Sequence, residues 1–409
     1  MTVGTAPGPG QPARETDEQN KKRRALGVAC AGHVLHDGYT DLIWVALPIW
    51  QAEFALSYAA VGTLRMIYSG MAGLQIPAAR VAERLGGGAV LALGTALCGL
   101  CYALVGLGNG FWWLVAVLFL GGFGAATQHP IGSALVTRTF TGAQSLTAFG
   151  TYNFAGDVGK VLLPAFAAAL LLVMSWRPAY ALLGLLGIVA AVPIFLLAPR
   201  LMPEQAKAQD RDASASEAER PAASRLGYRI LIVFGIADGI IRGSLFVLLP
   251  FLLIAKGAAV GTAGVALTLI FLGGAFGKLA CAWVARRLGA VATIMTAQAL
   301  TAVGILAVLV LPLSCALALL PLLGVALNGA TTVTYGSVPS YAPPERRTHA
   351  LSVFYTVTIG SAALAPPLSG YVGDLLGVPL AIVVIALMTL ATVPLAFGLL
   401  EGQRAERAA

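Results

Sequence analysis

The sequence predicts an all-α polytopic membrane protein with twelve transmembrane helices in two pseudo-symmetric six-helix bundles. Three observations predict it. The 409 residues are 58% hydrophobic and only 11% charged, with a mean hydropathy of +0.83, too little polar surface for a water-soluble domain. Apolar runs of about 20 residues recur, the length that crosses a bilayer as a helix, where a barrel would alternate over about ten. The chain also repeats itself. Val81-Ala82-Glu83-Arg84-Leu85-Gly86 returns 203 positions later as Val284-Ala285-Arg286-Arg287-Leu288-Gly289, and Pro48 returns 202 positions later as Pro250, which marks a duplicated six-helix unit.

Taken in order, residues 1–24 form a basic cytoplasmic N-terminus. The first twenty are rich in Gly, Pro, Gln and Glu, a composition that predicts disorder, and Lys21-Lys22-Arg23-Arg24 stands directly before the first span. Its apolar core is too long, and holds too many acids, for a cleaved signal. Spans are expected near 25–50, 57–79, 88–108, 111–137, 143–171 and 178–198, giving an N-terminal bundle over 25–198. The polar stretch 199–228 reads as a cytoplasmic linker, because it is too long for a tight helical hairpin. Spans near 229–255, 259–283, 289–312, 314–338, 348–372 and 377–400 form the second bundle, and 401–409 is a cytoplasmic tail. Arg80, Arg84, Arg138, Arg286, Arg287, Arg346, Arg347, Arg404 and Arg407 then share the side of the N-terminus, whereas the opposite loops offer Arg177 and Lys256. This positive-inside bias places both termini in the cytoplasm of a bacterial-type inner membrane. It also accounts for the net charge of +8 without a nucleic-acid partner.

Ionisable residues inside the spans carry the functional reading. The first span holds His33, His36, Asp37 and Asp41, with His33, Asp37 and Asp41 on one helical face at i, i+4 and i+8. A charge at the bilayer centre costs at least ~2.5–3.5 kcal/mol, so such a stripe needs a function. Arg65, His129, Asp157, Lys160, Asp238, Arg242 and Lys278 lie in other spans, while the third, sixth, ninth and twelfth have no interior charge. Those four are expected to face lipid, and the other eight to enclose a polar cavity between the halves. Asp37 and Asp41, helped by His33, are the expected proton-coupling groups, since two carboxylates on adjacent turns repel. The expected substrate site comprises Arg65, His129, Asp157, Lys160, Asp238, Arg242, Tyr152 and Tyr335, with Trp44 and Tyr355 in its apolar wall. Asp238 with Arg242, and Asp157 with Lys160, serve either as structural pairs or as substrate contacts. Arg65, alone on its helix, is expected to reach an aspartate of the first span or an anionic substrate. Pro130 after His129 marks a kink.

The five cysteines are scattered over apolar spans and imply neither a disulfide framework nor a metal site. No nucleotide-binding Gly-x-x-x-x-Gly-Lys-Ser/Thr loop occurs. No cofactor is expected, and the expected partners are a small-molecule substrate, protons and membrane lipid, with the protein working as a monomer.

The twelve spans, the central loop and the repeated loop resemble the major facilitator superfamily. Ala79, Glu83, Arg84 and Gly86 match part of that family's loop after the second span, while Gly87 and Gly88 replace its trailing basic residues. The resemblance implies a cytoplasmic gate of Glu83, Arg84, Arg286 and Arg287. Within the superfamily, His33-x-x-x-Asp37, the stretch Gly124 to Ser133 and Gln144-Ser145 resemble the fosmidomycin-resistance branch of efflux pumps, which implies proton-driven export by alternating access. The alternatives are efflux of a thiophilic metalloid such as arsenite through the cysteines, proton-symport uptake of a small anion, and, from another class, a membrane metallohydrolase using His33, His36, His129 and the aspartates.

Overall fold

A computed structural model describes residues 11–140, 142–198, 225–343 and 346–408. The first half contains α1 (Gln11–Phe54), α2 (Tyr58–Gly70), α3 (Gln75–Leu85), α4 (Gly87–Leu104), α5 (Gly110–Ala125), α6 (Gln128–Thr139), α7 (Gly142–Val173) and α8 (Trp176–Leu197). The second contains α9 (Arg225–Ala255), α10 (Val260–Leu288), α11 (Ala290–Val310), α12 (Leu313–Ser337), α13 (Arg347–Leu376) and α14 (Val378–Ala408). Ten stretches are long and apolar enough to cross a membrane. Two expected spans fall outside that set for physical reasons. α1 is long enough but carries the polar stripe. The span expected at 57–79 is broken by a 3₁₀ turn at Met71–Leu74 between α2 and α3, where Pro77 has no amide hydrogen for the carbonyl of Gly73. The fourth span is likewise split into α5 and α6, with the break one turn before Pro130.

Two boundaries differ from expectation. α1 starts at Gln11 rather than near 25, because a membrane helix already nucleated extends cheaply through good helix formers, with Lys22 and Glu18 paired at 3.0 Å. α14 likewise runs on to Ala408, through the expected tail. Most of the expected linker, residues 199–224, lies outside the described residues, and residues 225–228 belong to α9.

The repeat is visible in the backbone. Gly86 and Gly289, the last residues of the duplicated loop motif, close α3 and α10 with φ of 91° and 86°, a conformation that costs a residue with a Cβ 1–2 kcal/mol or so. Packing repeats as well: α1 pairs with α7 as α9 pairs with α13, and α4 with α8 as α11 with α14. The halves meet through α2 against α13 and α7 against α10. These contacts lie toward the face away from the chain termini. There Gly62 and Gly370 of α2 and α13 lie against the backbone of Pro366 and Tyr58, and Gly261 and Gly264 lie against Ala168. On the same face Asp374 of α13 caps α2, accepting from the amides of Tyr58 (2.8 Å) and Ala59 (2.9 Å). At the terminal face Glu83, Arg84, Arg286 and Arg287 are all exposed, and among the described residues no ion pair joins them. The cleft is therefore closed on one side and open on the other.

Candidate functional site

A cavity of about 370 Å³ lies between the halves. α4, α8, α11 and α14, the helices of the four spans expected to face lipid, contribute nothing to its wall, whereas α12 and α13, whose interiors also lack charge, line it through Asn328, Ile359, Ala362 and Ala363. None of the five cysteines lines it either.

α1 supplies the densest part of the wall. Asp37 is buried, and four nitrogen-bearing side chains point at its carboxylate: Lys160 at 3.2 Å, His33 at 3.4 Å, His36 at 3.7 Å and His129 at 4.0 Å. Helical spacing stacks His33 over Asp37, and the helix break before Pro130 delivers His129 from α6. Gly156 and Gly159 let α7 approach. A Cβ at Gly156 would stand 2.6 Å from Asp37 Oδ2 and 2.7 Å from His33 Nε2. His33 Nδ1 lies 2.8 Å from the carbonyl oxygen of Tyr152. A carbonyl can only accept, so Nδ1 carries the hydrogen and Nε2 faces Asp37 with no hydrogen-bond partner of its own. One proton fits between them.

From Lys160 the charges continue across the cleft. Its ammonium also lies 3.6 Å from Asp157, and both oxygens of Asp157 accept from Lys278 of α10 at 2.6 Å. Asp37, Lys160, Asp157 and Lys278 thus form an alternating row from the first half to the second. The i, i+3 pair expected within α7 is therefore part of a longer chain.

Asp41 and Arg65 are different. Asp41 accepts from the Trp44 indole at 3.0 Å. Arg65 donates to the Thr40 carbonyl at 2.9 Å and lies over the Trp44 ring, 4.2 Å from its centroid. Both are buried and line the cavity, and among the described residues neither has an oppositely charged side chain within ion-pair distance. Arg65 does not reach an aspartate of α1, because Trp44 and the Thr40 carbonyl hold it.

In the second half Asp238 and Arg242 pair at 3.1 Å. Gln298 and Thr331 also donate to Asp238, at 3.3 and 3.2 Å. Arg242 further donates to Asn328 at 2.7 Å, to the Leu327 carbonyl at 3.2 Å and to Thr331. Arg242 reaches the cavity wall and Asp238 sits behind it.

Three expected wall residues are elsewhere. Tyr152 is buried behind His33, its ring stacked at 4.1 Å. Tyr335 packs on Phe354 and Tyr355 in a separate apolar cluster. Neither these two nor Tyr355 lines the cavity; helix position told their depth but not their azimuth. Lys278, Asn328 and Thr331 belong to the site and were not among the expected contacts; polar residues in otherwise apolar spans were the available signal.

Ligand atoms of His33, Asp37 and His129 lie within 4.8 Å of one another, a spacing that suits a metal ion. Lys160 already places an ammonium on the same carboxylate oxygen as His33, so the donor set fits a proton better than a divalent cation.

Comparison with known proteins agrees with this architecture. Over 146 residues the chain is 30% identical to a probable L-galactonate transporter of Escherichia coli (strain K12), covering 36% of this chain and 32% of that protein. The match thus spans about a third of the relative's length. A bacterial homolog of the human lysosomal transporter Spinster, in an inward-facing and occupied conformation, superimposes with a TM-score of 0.77 at 16% identity, covering 92% of this chain and 96% of that one. The nucleoside transporter NupG superimposes with a TM-score of 0.70 at 15% identity, covering 93% and 99%. The Major Facilitator Superfamily model matches residues 29–236 and 230–409, and with these matches the chain belongs to that superfamily: a multi-pass secondary transporter of small molecules, not an enzyme.

Proposed function

We propose that this transporter couples protons to the movement of a small organic anion, a hydroxylated carboxylate of sugar-acid size being the best candidate. One observation carries the reading. Four carboxylates (Asp37, Asp41, Asp157, Asp238) face four fixed cations (Arg65, Lys160, Arg242, Lys278) in and behind one cavity wall, and only Asp41 and Arg65 stand outside the ion pairs. An anion added to a balanced, partly desolvated cavity leaves it one charge negative, which is costly; a proton restores neutrality. Arg65 has guanidinium donors to spare for a carboxylate. Asp41 is the carboxylate that a proton neutralises without breaking an ion pair. His129, half exposed toward the open side, with His33, His36 and Asp37 forms a proton route toward Asp41 one turn further along α1. The partial match to a probable L-galactonate transporter supports a sugar acid, and about 370 Å³ is room for one. The arginines at the terminal face support a cytoplasmic position for that face in an inner membrane.

A second reading is proton-driven export of a toxic anion or drug, favoured by the resemblance of the His33, Asp37 and His129 motifs to the fosmidomycin-resistance branch. Both readings are tested in proteoliposomes with an imposed pH gradient. The expected outcome is that labelled L-galactonate accumulates on the alkaline side. Asp41→Asn keeps exchange but loses accumulation, and Arg65→Gln loses uptake. Accumulation on the acidic side supports export; accumulation by Asp41→Asn equal to wild type removes the coupling assignment.

A further inference from the structure

We propose that Lys278 is a substrate contact, the second half's hold on the acid group of the cargo, and that Asp157 occupies its place while the cavity is empty. The proposal rests on the anion reading above and adds a residue and a competitor to it.

Alternating access requires both halves to engage the cargo, so each half needs a group free to do so. In the second half Arg242 is committed to Asp238, Asn328, Thr331 and the Leu327 carbonyl. Lys278 is the other cation that this half contributes to the wall. Among the described residues its ion-pair partner, Asp157, belongs to the opposite half. Asp157 grips it through both oxygens at 2.6 Å, the arrangement a carboxylate cargo would take. Lys278 lines the cavity and 38% of its side chain is exposed, so an incoming acid can approach it from the open side of the cleft.

Displacement of Asp157 is inexpensive because Asp157 does not become an isolated buried charge. Lys160 already stands 3.6 Å from it. Once Asp157 turns to Lys160, that ammonium faces both Asp157 and Asp37, and the proton that passes through the Asp37 cluster to Asp41 restores the overall balance. Substrate arrival at Lys278 is thereby linked to proton arrival at Asp37 through two side chains of α7. The helices themselves need not move for this exchange: toward the closed face α7 and α10 are already in contact at Gly261 and Gly264, and at Lys278 they are joined by a long flexible side chain.

The proposal makes opposite predictions for the two members of one ion pair. Binding of L-galactonate and gluconate to the purified full-length protein is measured calorimetrically at fixed pH. Lys278→Gln should weaken binding about tenfold or more, as expected for losing a charged hydrogen bond, and Lys278→Arg should restore most of it. Asp157→Asn, which removes the competitor, should tighten binding several-fold. If the pair is only a structural tie, both substitutions act in the same direction or neither acts, and either result overturns the proposal. The exchanged pair, Asp157→Lys with Lys278→Asp, keeps the tie and should fold but bind weakly; binding at wild-type strength overturns it as well. Failure of the wild-type protein to bind either acid overturns the anion reading and this proposal with it. Wild-type binding that Lys278→Gln leaves unchanged overturns the proposal alone.

Discussion

Asp238 stands 202 positions after His36, so the repeat places the two charge clusters at equivalent points of the two halves, yet they are built differently. Around Asp238 and Arg242 donors from three helices find acceptors at 2.7–3.3 Å. Around Asp37 one carboxylate is shared by four nitrogen-bearing side chains at 3.2–4.0 Å, and His33 Nε2 has no hydrogen-bond partner. A satisfied network holds one arrangement; an oversupplied carboxylate has several of similar energy. On the function proposed above, the second half is the frame and the first half holds the proton chemistry.

Three substitutions break or sharpen this contrast. Asp37→Asn should have the largest effect. One proton crossing a 100 mV equivalent is worth ~2.3 kcal/mol, or about fiftyfold accumulation, and this variant should lose it while retaining exchange in liposomes without a gradient. Accumulation at wild-type level would make the Asp37 cluster as inert as its counterpart. Next, Arg242→Ala strands Asp238 without its cation and should lower stability by about 3–5 kcal/mol, read as thermal unfolding in detergent. Adding Asp238→Asn should recover part of the loss, whereas the equivalent repair, Lys160→Ala with Asp37→Asn, should recover stability but not coupling. Smallest, Asp374→Ala leaves both clusters intact and removes the acceptor for the Tyr58 and Ala59 amides of α2, with Ser57 still capping Ala60. Caps of this kind contribute about 1 kcal/mol, so amide exchange at Tyr58 and Ala59 should rise about fivefold, with the substrate affinity of the open-side form unchanged.

The charge pattern made much of this architecture legible. Spans three, six, nine and twelve lack interior charge and became α4, α8, α11 and α14, which stay out of the cavity wall; α12 and α13 lack interior charge too and still line it, so the three-helix period of the repeat made the distinction that charge alone could not. The repeated Arg-Leu-Gly signalled two helix ends with the same left-handed glycine. What the sequence could not convey was azimuth and reach. Tyr152 sits at the right depth but points away from the cleft. Lys278, absent from the expected substrate contacts, crosses to Asp157 because its side chain is long. Asp374 lay in a short connection and signalled nothing, since its partners are backbone amides 316 and 315 residues away. The helix breaks at Met71–Leu74 and at residues 126–127 each precede a proline, Pro77 and Pro130, and only the second was anticipated.

The contact at Asp374 sets a design rule. Its donors are main-chain groups, so no ordinary change in α2 short of proline can delete them, and the strength of the clasp resides in a single acceptor. Residue 374 is therefore a tuning position for the strength of the contact between α2 and α13, and it lies outside the cavity wall. Glu, Asn, Ser and Ala there would form a graded series that changes turnover and leaves selectivity as it was.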